Sequence, residues 1–140
     1  MAKKKVLLIG IDPKLIEPKL IEPNLFTATG RDANQVRAAA QDANKRLVEL
    51  GYELQSCLLD PRGTDESVVL DTLSREKFDC IMVGAGVRVL SQNTILFEKI
   101  MNTIHQKARP SSKICFNTNT ADTVEAILRW VTSDSQKVIH

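Results

Sequence analysis

The residues best suited to bind a ligand follow the first, third and fourth of four apolar segments in the sequence. Glycine lets a backbone approach a ligand closely, and an arginine can hold a phosphate or a carboxylate with two parallel hydrogen bonds. Helix N-termini, which are expected after such segments, also favour anions. We therefore predict a polar crevice that binds an anionic metabolite or nucleotide. Its predicted ligand-binding residues are Gly10 and Asp12 after the first segment, Gly84, Ala85, Gly86 and Arg88 after the third, and Asn117, Thr118 and Asn119 after the fourth.

The glycines do not complete a known cofactor motif. Gly84 and Gly86 match two positions of the dinucleotide-binding fingerprint, but Val89 stands at the third, and that fingerprint belongs after the first strand of its domain. No phosphate-binding loop of the Gly-Lys-Ser/Thr type occurs. The cofactor is therefore unknown, and the sequence does not decide whether the protein is an enzyme.

Asp12 has two interpretations. Its position after the first strand is typical of nucleophilic aspartates, but Pro13 follows it and Lys14 stands where a second acid is expected. An aspartate that caps a turn explains the same pattern and is the interpretation we favour. No Gly-x-Ser-x-Gly elbow occurs either, so no covalent nucleophile is identified.

Glu98, Asn102 and His105 recur at helical spacing and predict one polar row along a helix. An acid and a histidine on one face can form a base with its orienting partner, or part of a metal site. A metal requires further ligands that the sequence does not identify, so no metal is predicted. We favour an exposed helix flank.

Hydrophobic periodicity predicts four strands that alternate with helices. The strands are 6–11, 52–59, 78–83 and 114–116, and the order βαβαβαβα is typical of a parallel sheet with right-handed crossovers. We predict a single three-layer α/β sandwich with strand order 2-1-3-4 and helices on both faces, of flavodoxin-like or Rossmann-like type. The first and third strands, both continuously apolar, should lie side by side at its centre, where such sheets bind ligands.

The connection after the first strand is unusually long. It runs for about 20 residues where roughly 2 to 6 are usual, and it contains an exact tandem repeat, Pro-Lys-Leu-Ile-Glu, over residues 13–22. We predict one domain over residues 1–131, a proline-rich arm at 13–31 and a polar tail at 132–140. A packed or partner-binding arm is favoured over a loose insertion because its aliphatic side chains are costly to expose. A homodimer that uses the arm is expected.

Composition excludes several classes of protein. The 140 residues carry 19 basic and 17 acidic side chains without a polybasic stripe, which argues against a nucleic-acid partner. The apolar segments are too short to span a membrane, and no export signal is predicted. Three cysteines, Cys57, Cys80 and Cys115, lie inside predicted strands without metal-ligand spacing, which is typical of free thiols in the cytoplasm.

Much of the sequence resembles a group of small uncharacterised bacterial α/β proteins. The resemblance excludes the proline repeat and the tail, and it implies a similar fold and a bacterial cytosol. It implies no catalytic residue, because no activity is established for that group. The segments that carry it are Val6 to Pro13, Phe78 to Arg88, Leu96 to Glu98, Phe116 to Thr118 and Asp122 to Trp130.

Two functions from different classes remain open. The first is a small-ligand-binding domain that takes an anionic metabolite or nucleotide at the crevice. The second is a non-catalytic, homodimeric interaction or regulatory module that uses the proline-rich arm. A well-formed pocket lined by Asp12, Gly84, Arg88 and Asn117 favours the first, whereas a flat or filled crevice favours the second.

Overall fold

Strands and helices alternate along the described parts of the chain. The computed structural model describes residues 3–11, 33–60, 66–88 and 93–132. Its elements are β1 (Lys5–Ile11), α1 (Ala33–Glu49), β2 (Glu53–Leu59), α2 (Ser67–Arg75), β3 (Cys80–Val83), the one-turn helix α3 (Ala85–Arg88), α4 (Thr94–Lys107), β4 (Lys113–Phe116), a 3-10 turn (Thr120–Asp122) and α5 (Thr123–Leu128).

The four strands form one parallel sheet in the order β2-β1-β3-β4, which confirms the predicted fold class. β1 and β3 lie side by side at its centre, with Leu7 opposite Ile81. Both strands are apolar throughout because helices cover both of their faces. β2, which the sequence predicts as peripheral, lies at an edge.

Two apolar cores, one on each face of the sheet, make the three layers. Leu7 and Ile9 of β1 point to the core beneath α2 and α4, which contribute Val69 and Ile100 among others. The alternate residues of β1, such as Val6, point to the core beneath α1 and α5. The sheet therefore carries helices on both faces, as predicted.

Two local features of the chain matter for the site. Gly84 leads directly into α3, whose Val87 N–H donates to Gly84 O at 3.1 Å. Asp122 stands at the N-cap of α5, and the 3-10 turn that precedes this helix is capped by Asn119. Gly51 has the positive φ of 99° expected of the residue that ends α1.

A network of charges closes the amino-terminal edge of the sheet. Asp79 accepts hydrogen bonds from the Lys5 backbone N–H at 2.8 Å and from Arg109 Nη2 at 2.5 Å. The Lys5 ammonium lies 2.9 Å from the Glu76 carboxylate. Lys5 and Arg109 are thus paired with carboxylates of the same edge.

The proline-rich arm at 13–31, Asp12 and residues 133–140 of the predicted tail lie outside the described residues. In the part of the chain that the structure describes, no helix is long and apolar enough to cross a membrane.

Candidate functional site

Gly84 lies where two backbones approach closely. Its N–H donates to Ile9 O at 2.8 Å, and a Cβ at this position would lie 3.2 Å from the same oxygen. Gly10 differs, because among the described residues a Cβ there would meet only Leu58 Cδ2, at 4.0 Å. A side chain at Gly84 would therefore require the paired backbone to shift by a few tenths of an ångström, whereas the described residues leave room for one at Gly10.

Asn117 ties together the turns that follow β3 and β4. The side chain is buried, its Oδ1 accepts from the Ala85 N–H at 2.8 Å, and its Nδ2 donates to Thr123 Oγ1 at 2.9 Å. The sequence predicts an anion at the start of the helix after β3. In the structure the amide oxygen of Asn117 already occupies that N–H.

Arg88 lies over β4 and is held there by two contacts. Its Nη2 donates to Asn117 O, and its guanidinium carbon lies 5.3 Å from the centre of the Phe116 ring. Its Nε is buried without a hydrogen-bond partner. Stacking on an aromatic ring and a main-chain contact fix the position of the cation, and neither contact supplies a negative charge.

Thr118 and Asn119 are joined to Asp122 in a capping box. Both backbone N–H groups donate to the Asp122 carboxylate, Thr118 at 2.9 Å and Asn119 at 3.2 Å, and Thr118 Oγ1 donates to it at 2.6 Å. Asn119 Oδ1 accepts from the Ala121 N–H at 2.7 Å. Asp122 thus occupies the donors that the sequence assigns to a ligand.

The same contacts set the charge of Asp122. Burial raises the pKa of this carboxyl, but hydrogen bonds from Thr118 and Asn119, together with the nearby Arg129, outweigh it. The net result is a pKa below the ordinary value of 3.8. The carboxylate is therefore ionised at neutral pH.

Two residues of this edge were missed by the sequence analysis. Arg129 donates from Nη2 to Phe116 O at 3.1 Å, and Arg88 donates to the next carbonyl along the chain, that of Asn117. Asn93 is buried, and its Nδ2 donates to Gly86 O at 3.0 Å, which anchors α3. Neither residue directly follows a predicted strand, so the sequence did not indicate that either would lie at this edge.

The predicted site residues therefore fall into three groups. Gly84, Ala85 and Asn117 are brought together by hydrogen bonds that use their polar groups internally. Arg88 lies beside them with its charge uncompensated by any ion pair to a described carboxylate. The remaining residues form the third group. Gly10 adjoins Leu58, and Gly86 adjoins Ile11. Thr118 and Asn119 belong to the capping box, and Asp12 lies outside the described residues.

The polar row on α4 is an exposed helix flank. Glu98, Asn102 and His105 are all exposed, and Asn102 Nδ2 donates to Glu98 O of the same helix at 2.9 Å. Glu98 and Asn102 line an open groove of about 380 Å³ between α4 and the start of α2. Over the residues described, no group of three or more acidic, histidine or cysteine side chains can hold a metal ion.

The three cysteines are free and buried, as the sequence predicts. Cys80 and Cys115, although distant in sequence, lie on the adjacent strands β3 and β4 with their sulfurs 3.5 Å apart. The hydrogen bond between the two thiols, together with burial, raises the pKa of Cys80. The pair lies in the core under α5 and away from Arg88.

Comparison with protein-family models, with curated proteins and with solved structures found no match for this chain. The parallel α/β sheet and the residues at its carboxyl-terminal edge are therefore the basis for the function proposed below.

Proposed function

We propose that the protein binds an anionic small molecule, a metabolite or a nucleotide, at the carboxyl-terminal edge of its sheet, with Arg88 as the anchor. One observation carries the proposal. Arg46, Arg75 and Arg109 each form an ion pair with a carboxylate, whereas Arg88, which is half-buried beside Asn117, forms none with any described carboxylate. A positioned guanidinium without a counter-charge favours a phosphate or carboxylate ligand.

The hydrogen bonds already formed at the carboxyl-terminal edge limit which groups can bind such a ligand. The N–H groups of Gly84 and Ala85 are used by Ile9 O and Asn117 Oδ1, and those of Thr118 and Asn119 by Asp122. A cradle of backbone amides is therefore not the proposed mode of binding. The anion instead meets the guanidinium of Arg88, and the backbone at Gly10, where the described residues leave room for a Cβ, lines the crevice.

Arg129 adds to the positive potential of this edge. Arg88 and Arg129 reach the end of β4 from helices α3 and α5, which lie on either side of the sheet, while Asp122 supplies one compensating negative charge. Two arginines and one carboxylate meet at this edge, so its local potential favours an anion.

The test is a titration of the full chain with inorganic phosphate, pyrophosphate, ADP and citrate, followed by isothermal calorimetry and thermal shift. A ligand that binds the native state raises the melting temperature. Arg88→Ala should weaken binding roughly tenfold or more, since charge-assisted hydrogen bonds are among the stronger polar contacts. Arg88→Lys should restore part of the loss, and Arg75→Ala, which removes an exposed and paired arginine, should change nothing. Equal affinity of the native protein and Arg88→Ala would refute the proposal.

The alternative function is a non-catalytic homodimeric module that uses the proline-rich arm at 13–31. The arm lies outside the described residues, so this function stays a prediction. Light scattering of the full chain and of a variant lacking residues 14–18 tests it, because an arm-dependent dimer dissociates on the deletion. A cytoplasmic location belongs to both proposals and is supported by three buried, free cysteines.

A further inference from the structure

The outer edge of β2 has the features of a strand that pairs with another strand. β2 runs over Glu53–Leu59, and of the strands that the structure describes only β1 pairs with it. Its sequence, ELQSCLL, contains no lysine or proline, and its register with β1 is continuous, without a bulge. Native proteins normally protect a free edge with such devices. Their absence indicates that this edge is covered.

The hydrogen-bonding groups on the outer edge can be assigned. The Glu53 N–H donates to Lys4 O at 2.9 Å, so Glu53 faces β1. Backbone groups alternate between the two sides of a strand in a parallel ladder, so the N–H and C=O groups of Leu54, Ser56 and Leu58 face outward. None of these three outward residues is charged.

We propose that β2 pairs with β2 of a second copy of this chain, antiparallel and about a two-fold axis at Ser56. In that register Ser56 lies opposite Ser56 of the second copy, and Leu54 lies opposite Leu58. Each of these three positions is a hydrogen-bonded pair, so all outward N–H and C=O groups are satisfied at once. The two sheets join into one sheet of eight strands.

The side chains support the same register. Leu54 and Leu58 point to the face covered by α1, where Leu54 is half-buried but Leu58 is 54% exposed. Leu58 is poorly covered because its neighbour in β1 on that face is Gly10, which has no side chain. Pairing with the second copy places Leu54 beside each Leu58 and covers it.

Exposed valines flank the edge on both helix layers. Arg46 of α1 reaches Glu125 of α5, so Val48, about 200° further around the helix, lies on the opposite flank toward the edge. Glu66 lines the groove next to α4, and Val68 of α2 lies about 200° from it, again toward the edge. Val48 and Val68 are 54% and 51% exposed.

The outer edge of β2 and the flanks of α1 and α2 beside it form one lateral face, whose size suits a stable dimer. α1 has 17 residues and is about 25 Å long. Two helix layers of roughly 10 Å each, with the sheet between them, make the face about 25 Å thick, or on the order of 600 Å² in projection. The accessible area of a corrugated face is larger than its projection, and standard interfaces bury about 800 Å² per partner.

The experiment is sedimentation equilibrium of the full chain and of three variants. The full chain should be a dimer. Ser56→Pro removes only an outward N–H, and Leu58→Lys adds a charge to an exposed position, so both should fold and raise the dimer dissociation constant roughly tenfold or more. Ile95→Lys, a change of the same type at a side chain 55% exposed on α4, should dimerise like the native chain.

Hydrogen exchange identifies the edge itself. The amides of Leu54, Ser56 and Leu58 should be protected at concentrations that favour the dimer and should exchange freely on dilution. A monomeric full chain, or a dimer in which these amides stay unprotected, would overturn the proposal. Arg88→Ala should leave the dimer intact, so failure of the ligand proposal and failure of this one are distinguishable.

Discussion

The side-chain oxygen of Asn117 accepts a hydrogen bond from the Ala85 backbone N–H at 2.8 Å, and this contact joins the turns after β3 and β4. The amide nitrogen of the same side chain donates to Thr123 at the start of α5. One buried side chain thus fixes α3, β4 and α5 relative to one another and sets the position from which Arg88 extends.

Asn117→Ala should destabilise the protein by roughly 1–3 kcal/mol, because it leaves the Ala85 N–H buried without a partner. Urea unfolding followed by circular dichroism measures the change. Asn102→Ala is the matched control, since Asn102 is exposed and bonds only to its own helix, and it should stay within about 0.5 kcal/mol of the native protein. Equal stability of the two variants would contradict the role given to Asn117.

Asp122 should make stability depend on pH in the acid range. Its folded pKa lies below the ordinary value of 3.8, so its contribution is fully present above the unfolded pKa and is lost as the pH falls through the folded pKa. Urea unfolding at a series of pH values from neutral to below 3.8 should show this loss. In Asp122→Asn the acid-range slope should be shallower than in the native protein, and an unchanged slope would contradict the role given to this carboxylate.

The sequence predicts the sheet well because its determinants are local. Continuous apolar segments identify β1 and β3 as the interior strands, and both are buried. At β2 the burial does not follow hydrophobicity alone, since Leu58 is exposed while Cys57 and Leu59 are buried. The reason is the neighbouring Gly10, which has no side chain to cover Leu58. The sequence does not show that these two residues are neighbours until the register of the strands is known.

The proximity of the turns after β3 and β4 was also predictable, but the hydrogen bonds that join them were not. Carboxyl ends of parallel strands meet at one edge, so Gly84 and Asn117 were expected to be close. Their partners are distant in sequence, as Asn117 is 32 residues from Ala85 and 29 from Arg88. Periodicity cannot show which of these polar groups bond to each other. Arg129 likewise donates to Phe116 O, 13 residues away, and Glu125 lies beside Arg46 of α1.

The two central glycines should respond differently to alanine. In Gly84→Ala the new Cβ would lie 3.2 Å from Ile9 O, so two paired strands must shift, and a loss of roughly 1–3 kcal/mol is expected. In Gly10→Ala the nearest atom is Leu58 Cδ2 at 4.0 Å, so stability should change by less than about 1 kcal/mol, in the favourable direction. Chemical unfolding measures the free energy of unfolding of both variants. A larger loss in Gly10→Ala than in Gly84→Ala would contradict the packing described for β1 and β3.

The three thiols should be unreactive in the native protein. Burial raises the pKa of Cys57, and the hydrogen bond with Cys115 followed by burial raises that of Cys80, so the reactive thiolate is scarce at both. Cys115, whose pKa is lowered by the hydrogen bond with Cys80, is shielded because its side chain is buried under α5. A short pulse of iodoacetamide followed by mass spectrometry should therefore label no cysteine in buffer and all three in guanidinium.

Ser74→Cys places a thiol at an exposed position of α2 and should add one label in buffer, which shows that the reagent is active. Labelling of Cys80 or Cys115 in buffer at the rate of the Ser74→Cys thiol would show that the layer formed by α5 does not cover the sheet.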